Sequence, residues 1–147
     1  MRLSNFSDYS LRTLIYLGNQ RDKLCNISEI ADFYGISENH LMKVVHQLGM
    51  LGFIKTLRGK GGGISLGMEP KEINVGEVIR KMESELALAE CFTENSQCRI
   101  NEVCSLKAIF DEALEALLAI LDRYTLADII KKPANVIRFY NKKLVNA

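Results

Sequence analysis

Three of the chain's four cysteines fall in one polar stretch, ECFTENSQCRINEVC, spanning residues 90–104. Their pattern, Cys91-x6-Cys98-x5-Cys104, lacks the CxxC knuckle of most structural zinc sites and offers three thiols where zinc takes four ligands. Wide, flexible spacing suits a larger object around which a loop must wrap. An iron–sulfur cluster is such an object, since thiolates are its usual ligands and a different residue can fill the last coordination position. Spacing alone leaves a cluster, zinc, thiol redox sensing and plain structural cysteine open. Cys25, with no thiol neighbour in sequence, reads as a small buried residue.

The elements that must position this loop follow from helical spacing and caps. The chain has 147 residues and is 48% hydrophobic, enough for one sizeable core, or for a small domain with an arm that packs on a partner. The opening MRLSNFSDYSLRTLIY is interrupted by Ser, Asn and Asp, so it holds no signal-peptide core, and no apolar run is long enough to span a bilayer. The expected location is the cytoplasm, without membrane contact, where thiols stay reduced. Residues 6–18 read as a first helix on Leu11, Leu14, Ile15 and Leu17, with Ser7 and Asp8 in its first turn. Ser28 reads as the cap of a short second helix ending at Gly35, and Ser37 as the cap of a third, SENHLMKVVHQLG, with an apolar stripe of Leu41, Val44, Val45 and Leu48.

Two capped helices across a glycine-containing turn predict a helix-turn-helix. Asn39, His40 and Lys43, near the start of its second helix, are the candidate base readers, and Ser28 and Ser37 at the two helix starts join the DNA-facing set. Charge agrees. The whole chain is only +1, yet residues 39–68 contain no acidic residue while carrying Lys43, Lys55, Arg58, Lys60 and both histidines, His40 and His46. FIKTLRGKGGGISLG, residues 53–67, reads as two strands joined by a glycine-rich tip, the wing of a winged helix-turn-helix. There Arg58 and Lys60 can meet phosphate or the minor groove, and Gly61 and Gly62 permit close approach. A phosphate-cradling nucleotide loop is disfavoured, because GxxxxGK[ST] spacing is absent and no strand leads through these glycines into a helix.

Residues 75–90 read as a linker helix. Residues 105–124 form a longer one, in which Leu106, Phe110, Ala113, Leu117, Ile120 and Tyr124 step by alternating four and three. Leu114, Leu118 and Leu121 widen that seam beyond what a lone surface helix needs. At 1.5 Å per residue it runs roughly 30 Å, long enough to cross a partner subunit. Dimerisation explains it economically and suits a palindromic double-stranded DNA site. An ordinary core helix is the bland alternative.

MRLSNFSDYSLRTLIYL, SENHLMKVVHQL, LRGKGGGISLG and the spaced cysteines together resemble the Rrf-two-type family of bacterial transcription regulators, over Met1 to about Tyr124. The resemblance implies a homodimeric winged-helix repressor with an iron–sulfur cluster loop at the base of a long dimerisation helix. In the family's cluster-biosynthesis branch a histidine three residues after the last cysteine completes the ligand set, but that position is Lys107 here. In its nitric-oxide-sensitive branch the first helix opens with a phenylalanine, a hydroxyl residue and an aspartate, as do Phe6, Ser7 and Asp8. That likeness implies Cys91, Cys98, Cys104 and Asp8 of the other subunit as ligands. It implies a [4Fe–4S] cluster in preference to [2Fe–2S], and nitric oxide as the signal that releases DNA. Read from position alone, a first-turn carboxylate is favoured by the helix dipole without a metal, and Arg12, one turn on, either holds Asp8 in place or pairs with it in solvent.

The resulting expectation is a mainly α protein. Residues 1–74 form the DNA-binding domain, 75–104 the linker helix and cluster loop, 105–130 the dimerisation helix and 131–147 a tail. A regulator of iron or cluster supply and a zinc-stabilised or metal-free interaction module are the alternatives. An enzyme is unsupported, since neither histidine lies near a cysteine in sequence and no nucleophile–base arrangement is suggested.

Overall fold

Helix α1 (Asn5–Asn19) begins one residue earlier than its apolar spacing suggests, because Ser4 caps it by accepting the Ser7 N–H at 3.2 Å. The computed structural model to which it belongs describes residues 2–93 and 95–130, so the expected tail at 131–147 lies outside the described residues. Ser7, Ser10 and Thr13 are fully buried on α1. Burial of these hydroxyls is tolerated where they are satisfied locally: Ser10 Oγ donates to the Phe6 carbonyl and Thr13 Oγ1 to the Tyr9 carbonyl, each at 2.7 Å.

Helix α2 (Ile27–Tyr34) is capped by Asn26, whose N–H donates to Glu29 at 3.4 Å, so Ser28 lies inside the first turn and is not the cap. Gly35 ends α2 with φ 64°, a left-handed value that glycine adopts without a Cβ penalty. Ser37 then stands at the N-cap of α3 (Glu38–Met50), which buries the expected stripe of Leu41, Val44, Val45 and Leu48. With Leu14, Leu17, Ile30 and Phe53 these residues form the core of a helix-turn-helix.

Strands β1 (Ile54–Leu57) and β2 (Gly63–Leu66) pair antiparallel, from Ile54 opposite Leu66 to Leu57 opposite Gly63. Cys25, wholly buried, continues this ribbon: its N–H and carbonyl exchange bonds of 3.0 and 2.8 Å with Ile64. Strand pairing thus ties the entry to α2 to the wing.

A 3-10 turn, Pro70–Glu72, leads into α4 (Val75–Met82). The linker helix expected to reach residue 90 stops at Met82, because Glu83 turns to extended backbone at ψ 120°. Its carboxylate instead accepts the Ser4 N–H and hydroxyl at 3.0 and 3.1 Å, joining the end of α4 to the start of α1. Beyond the thiol loop runs α5 (Ser105–Leu121).

Residues 105–130 are not one helix. Thr125 starts a separate short α6 (Leu126–Ile129), capped through Asp128, and buried Leu126 returns the chain to the core. Backbone pairing makes this turn firm, with Val75 N–H on the Tyr124 carbonyl at 3.0 Å and Leu126 N–H on that of Ile73 at 2.8 Å. Asp122 adds a bidentate ion pair with Arg80 at 2.5 and 2.7 Å. Among the described residues no helix is long and apolar enough to cross a membrane.

Candidate DNA interface and thiol loop

The outward face of α3 follows from its buried one. With Leu41, Val44, Val45 and Leu48 turned inward, Asn39, His40, Met42, Lys43 and His46 are left exposed. Asn39, Met42, Lys43 and His46 line one open groove with Phe6 of α1. Asn39, His40 and Lys43 are the expected readers, and the structure adds Met42 and His46 to their face. Helical spacing alone would have included them, since 39, 42, 43 and 46 share a face. Met42 is 49% exposed, an apolar side chain of the kind that contacts a thymine methyl in a major groove.

At the wing, Arg58 and Lys60 are exposed at the tip. Gly59 and Gly61 hold φ of 96° and 79°. Gly62 has no room for a side chain, because a Cβ there would meet the Leu57 carbonyl oxygen at 2.2 Å. The tip glycines therefore shape the turn whatever they contact. Lys43, Arg58 and Lys60 are single cations facing solvent, and replacing each by alanine should lower the salt slope of DNA binding by about one. Titrations at several salt concentrations would measure this, and an unchanged slope for all three would place DNA elsewhere.

The second functional element lies on the other side of Glu83. Residues 83–104 lead from α4 to α5, with a 3-10 turn at Glu90–Phe92. Glu90 organises the loop by accepting the Gln97 N–H at 2.8 Å, and Phe92 leans on Phe110 of α5 with ring centroids 6.4 Å apart. Cys104 stands at the N-cap of α5 and its thiol makes no capping bond, while Cys91 is partly buried and Cys98 exposed. All four thiols are free.

Among the described residues, no three His, Cys, Asp or Glu side chains are arranged to hold a metal. The donor chemistry nonetheless fits a thiophilic centre: three free thiols share one loop, and the last of them stands at the start of α5. Between Cys98 and Cys104, the buried Asn101 Oδ1 has no hydrogen-bond partner, an orphaned polar atom inside that loop.

Asp8 sits in the first turn of α1, partly exposed, and pairs with Arg12 at 2.8 Å. The same guanidinium lies 5.7 Å from the Tyr34 ring centroid. Burial chiefly pushes the Tyr34 phenol up to about 12, with the Arg12 charge opposing that rise and the Asp8 charge adding to it. Tyr34 and Glu83 join this region only in the folded chain. Each acts across a distance in sequence that no spacing pattern reveals.

A winged helix-turn-helix carrying a cationic wing defines a DNA-binding transcription regulator. The family model described as "Rrf2: Iron-dependent Transcriptional regulator" matches residues 3–132, and the chain belongs to that family. It is 50% identical over 145 residues to the "HTH-type transcriptional regulator NsrR" of Bacillus subtilis (strain 168), covering 97% of this chain and 99% of the relative. It is 52% identical over 132 residues to the regulator of the same name from Bacillus licheniformis, covering 88% and 92%. Among solved structures, T. potens IscR superposes with a TM-score of 0.74 at 25% identity, over 92% of this chain and 90% of that one. CymR, the global cysteine regulator of B. subtilis, gives 0.71 at 25% identity, over 89% and 97%.

Proposed function

We propose that the protein is a cytoplasmic, homodimeric repressor that binds a palindromic operator and releases it when nitric oxide reaches an iron–sulfur cluster held by Cys91, Cys98 and Cys104, with Asp8 of the other subunit as fourth ligand. One observation carries this reading: three free thiols lie on a single loop between α4 and α5 of a winged helix-turn-helix chain. The relatives named NsrR and the Phe6-Ser7-Asp8 opening support nitric oxide as the signal. When bound, a cluster would supply iron that reacts with nitric oxide; a [4Fe–4S] form suits three thiolates and one weaker ligand.

The chain's own residues do the rest. The three thiolates hold the loop to one object, and the Asp8 carboxylate, a hard and weakly competitive donor beside soft thiolates, is the ligand that leaves most readily. While Asp8 is engaged, α1 of one subunit is tied to the loop of the other, which fixes the separation of the two α3 helices at successive major grooves. Once it is free, that separation is no longer held.

The test is an anaerobic absorption spectrum with iron and sulfide assays, before and after stoichiometric nitric oxide, followed by DNA binding on the same samples. A brown protein that bleaches with nitric oxide and loses DNA is expected. A colourless protein that takes up no iron, and binds DNA unchanged, would refute the sensor. DNA affinity that follows iron supply and ignores nitric oxide would favour regulation of iron or cluster homeostasis, which the family's description and the likeness to IscR also support.

A further inference from the structure

Arg12 holds two partners at once, the Asp8 carboxylate at 2.8 Å and the Tyr34 ring face at 5.7 Å. Tyr34 is the last residue of α2, and Gly35 beside it turns the chain toward α3, secured by the Ile36 N–H on the Ala31 carbonyl at 2.9 Å. Asp8 is therefore two side chains away from the turn that sets the recognition helix against α2. Behind the Tyr34 ring lies a packed aromatic group. Its centroid is 4.7 Å from Phe33 and 6.3 Å from Tyr16, both edge to face, and Tyr16 in turn donates its hydroxyl to Glu29 at 2.6 Å. Glu29 is the residue that reaches back to the N-cap of α2.

We infer that Tyr34 is a positioning residue that passes the state of Asp8 to the helix-turn-helix through the Arg12 guanidinium. This rests on Asp8 acting as the inter-subunit ligand proposed above. A guanidinium over an aromatic face is attracted by the ring quadrupole, and a carboxylate beside it fixes which rotamer makes that contact. When Asp8 turns to a ligand on the partner subunit's loop, one of the two anchors of Arg12 is redirected and the guanidinium re-seats against the other. The ring cannot move alone, because Phe33 and Tyr16 pack on it and Gly35 follows it in the chain. The displacement is thus delivered to the α2–α3 turn, and α3 is the helix that carries Asn39, His40 and Lys43.

Contiguity of contacts is no proof of coupling, so the test measures coupling directly. In metal-free protein, amide exchange at Gly35 and Ile36 should run about two- to fivefold faster in Arg12→Ala and in Tyr34→Leu, and at the wild-type rate in Tyr34→Phe, which keeps the ring face. The double variant should exchange no faster than the faster single one. A wild-type rate in Tyr34→Leu, or effects that multiply in the double variant, would overturn the relay. In cluster-loaded protein, Tyr34→Leu should keep the wild-type spectrum while the ratio of DNA affinities before and after nitric oxide shrinks at least about fivefold. An unchanged ratio would also overturn it. A wild type that shows no such ratio would instead sink the nitric-oxide reading, and the metal-free arm would still decide the Tyr34 contact.

Discussion

Replacing Cys98 with serine should leave a folded, DNA-binding protein that stays colourless after anaerobic reconstitution and whose DNA affinity no longer responds to nitric oxide. Cys91→Ser and Cys104→Ser should behave alike. Cys98 is exposed and Cys91 and Cys104 only partly buried, so the exchange of sulfur for oxygen removes little packing, and stability should change by no more than about 0.5 kcal/mol. The effect on metal is total because a hydroxyl stays protonated and does not compete for iron, which leaves two thiolates where three are needed. Cys25→Ser is the matched control with the opposite outcome. That thiol is wholly buried beside the wing, and burial pushes its pKa up, with the Glu29 charge adding to the rise and Lys23 opposing it. A serine there buries a more polar group at a cost of about 1–3 kcal/mol. Thermal melts, absorption spectra and DNA titrations on the four variants would separate the roles. A Cys98→Ser protein that stays brown, or that melts as early as Cys25→Ser, would remove the thiol loop from the mechanism.

The contrast among these cysteines shows what was legible in the sequence. Cys25 was expected to be buried from its isolation, and it is. The helix-turn-helix and wing could be read because their signals are local: Gly35 at a left-handed turn, the stripe from Leu41 to Leu48, and glycines between two short strands. Where local patterns misled, a long-range bond decided. Nothing within residues 75–90 ends a helix at Met82, and only the Ser4 cap, 79 positions from Glu83 in sequence, recruits that carboxylate elsewhere. Ser28 and Asn26 are both acceptable caps, and Glu29 selects Asn26. Likewise the buried hydroxyls of α1 interrupt its apolar pattern, so spacing points only to the leucines and isoleucine as core-facing. Among the described residues the three loop thiols are not gathered around one point, an arrangement that sequence spacing alone does not specify.

A charge on the outer face of α5 should split the dimer and cost most of the DNA affinity. The broad apolar face read from the sequence resolves into two stripes. Leu114, Leu117, Leu118 and Leu121 line a cavity of about 400 Å³ against α1 and α4, while Phe110 leans on the thiol loop. About a quarter-turn away run Leu106, Ile109, Ala113, Ala116 and Ile120, at steps of three and four, and all five are exposed. Leu106 is 53%, Ile109 60% and Ile120 51% exposed, and α5 has no buried residue, an arrangement that a second copy would relieve. The two alanines permit close approach of a partner helix midway along a stretch of roughly 25 Å. Ile109→Glu places two carboxylates at a two-fold seam, where desolvation and like-charge repulsion together cost several kcal/mol. The expected product is a monomer of native helicity. It would hold one half-site at a time, and losing the linkage of two half-sites lowers DNA affinity on the order of 10²- to 10⁴-fold. Glu115→Lys, exposed and outside both stripes, should stay dimeric and keep its DNA. Sedimentation and DNA titration of the two variants decide the matter. An Ile109→Glu protein that remains a dimer would show that the outer stripe is not the seam, and full DNA affinity in a proven monomer would mean that one subunit suffices for the operator. Under the proposed mechanism the same variant should also lose its response to nitric oxide, because Asp8 would serve another chain's thiols only if α5 brought the two chains together.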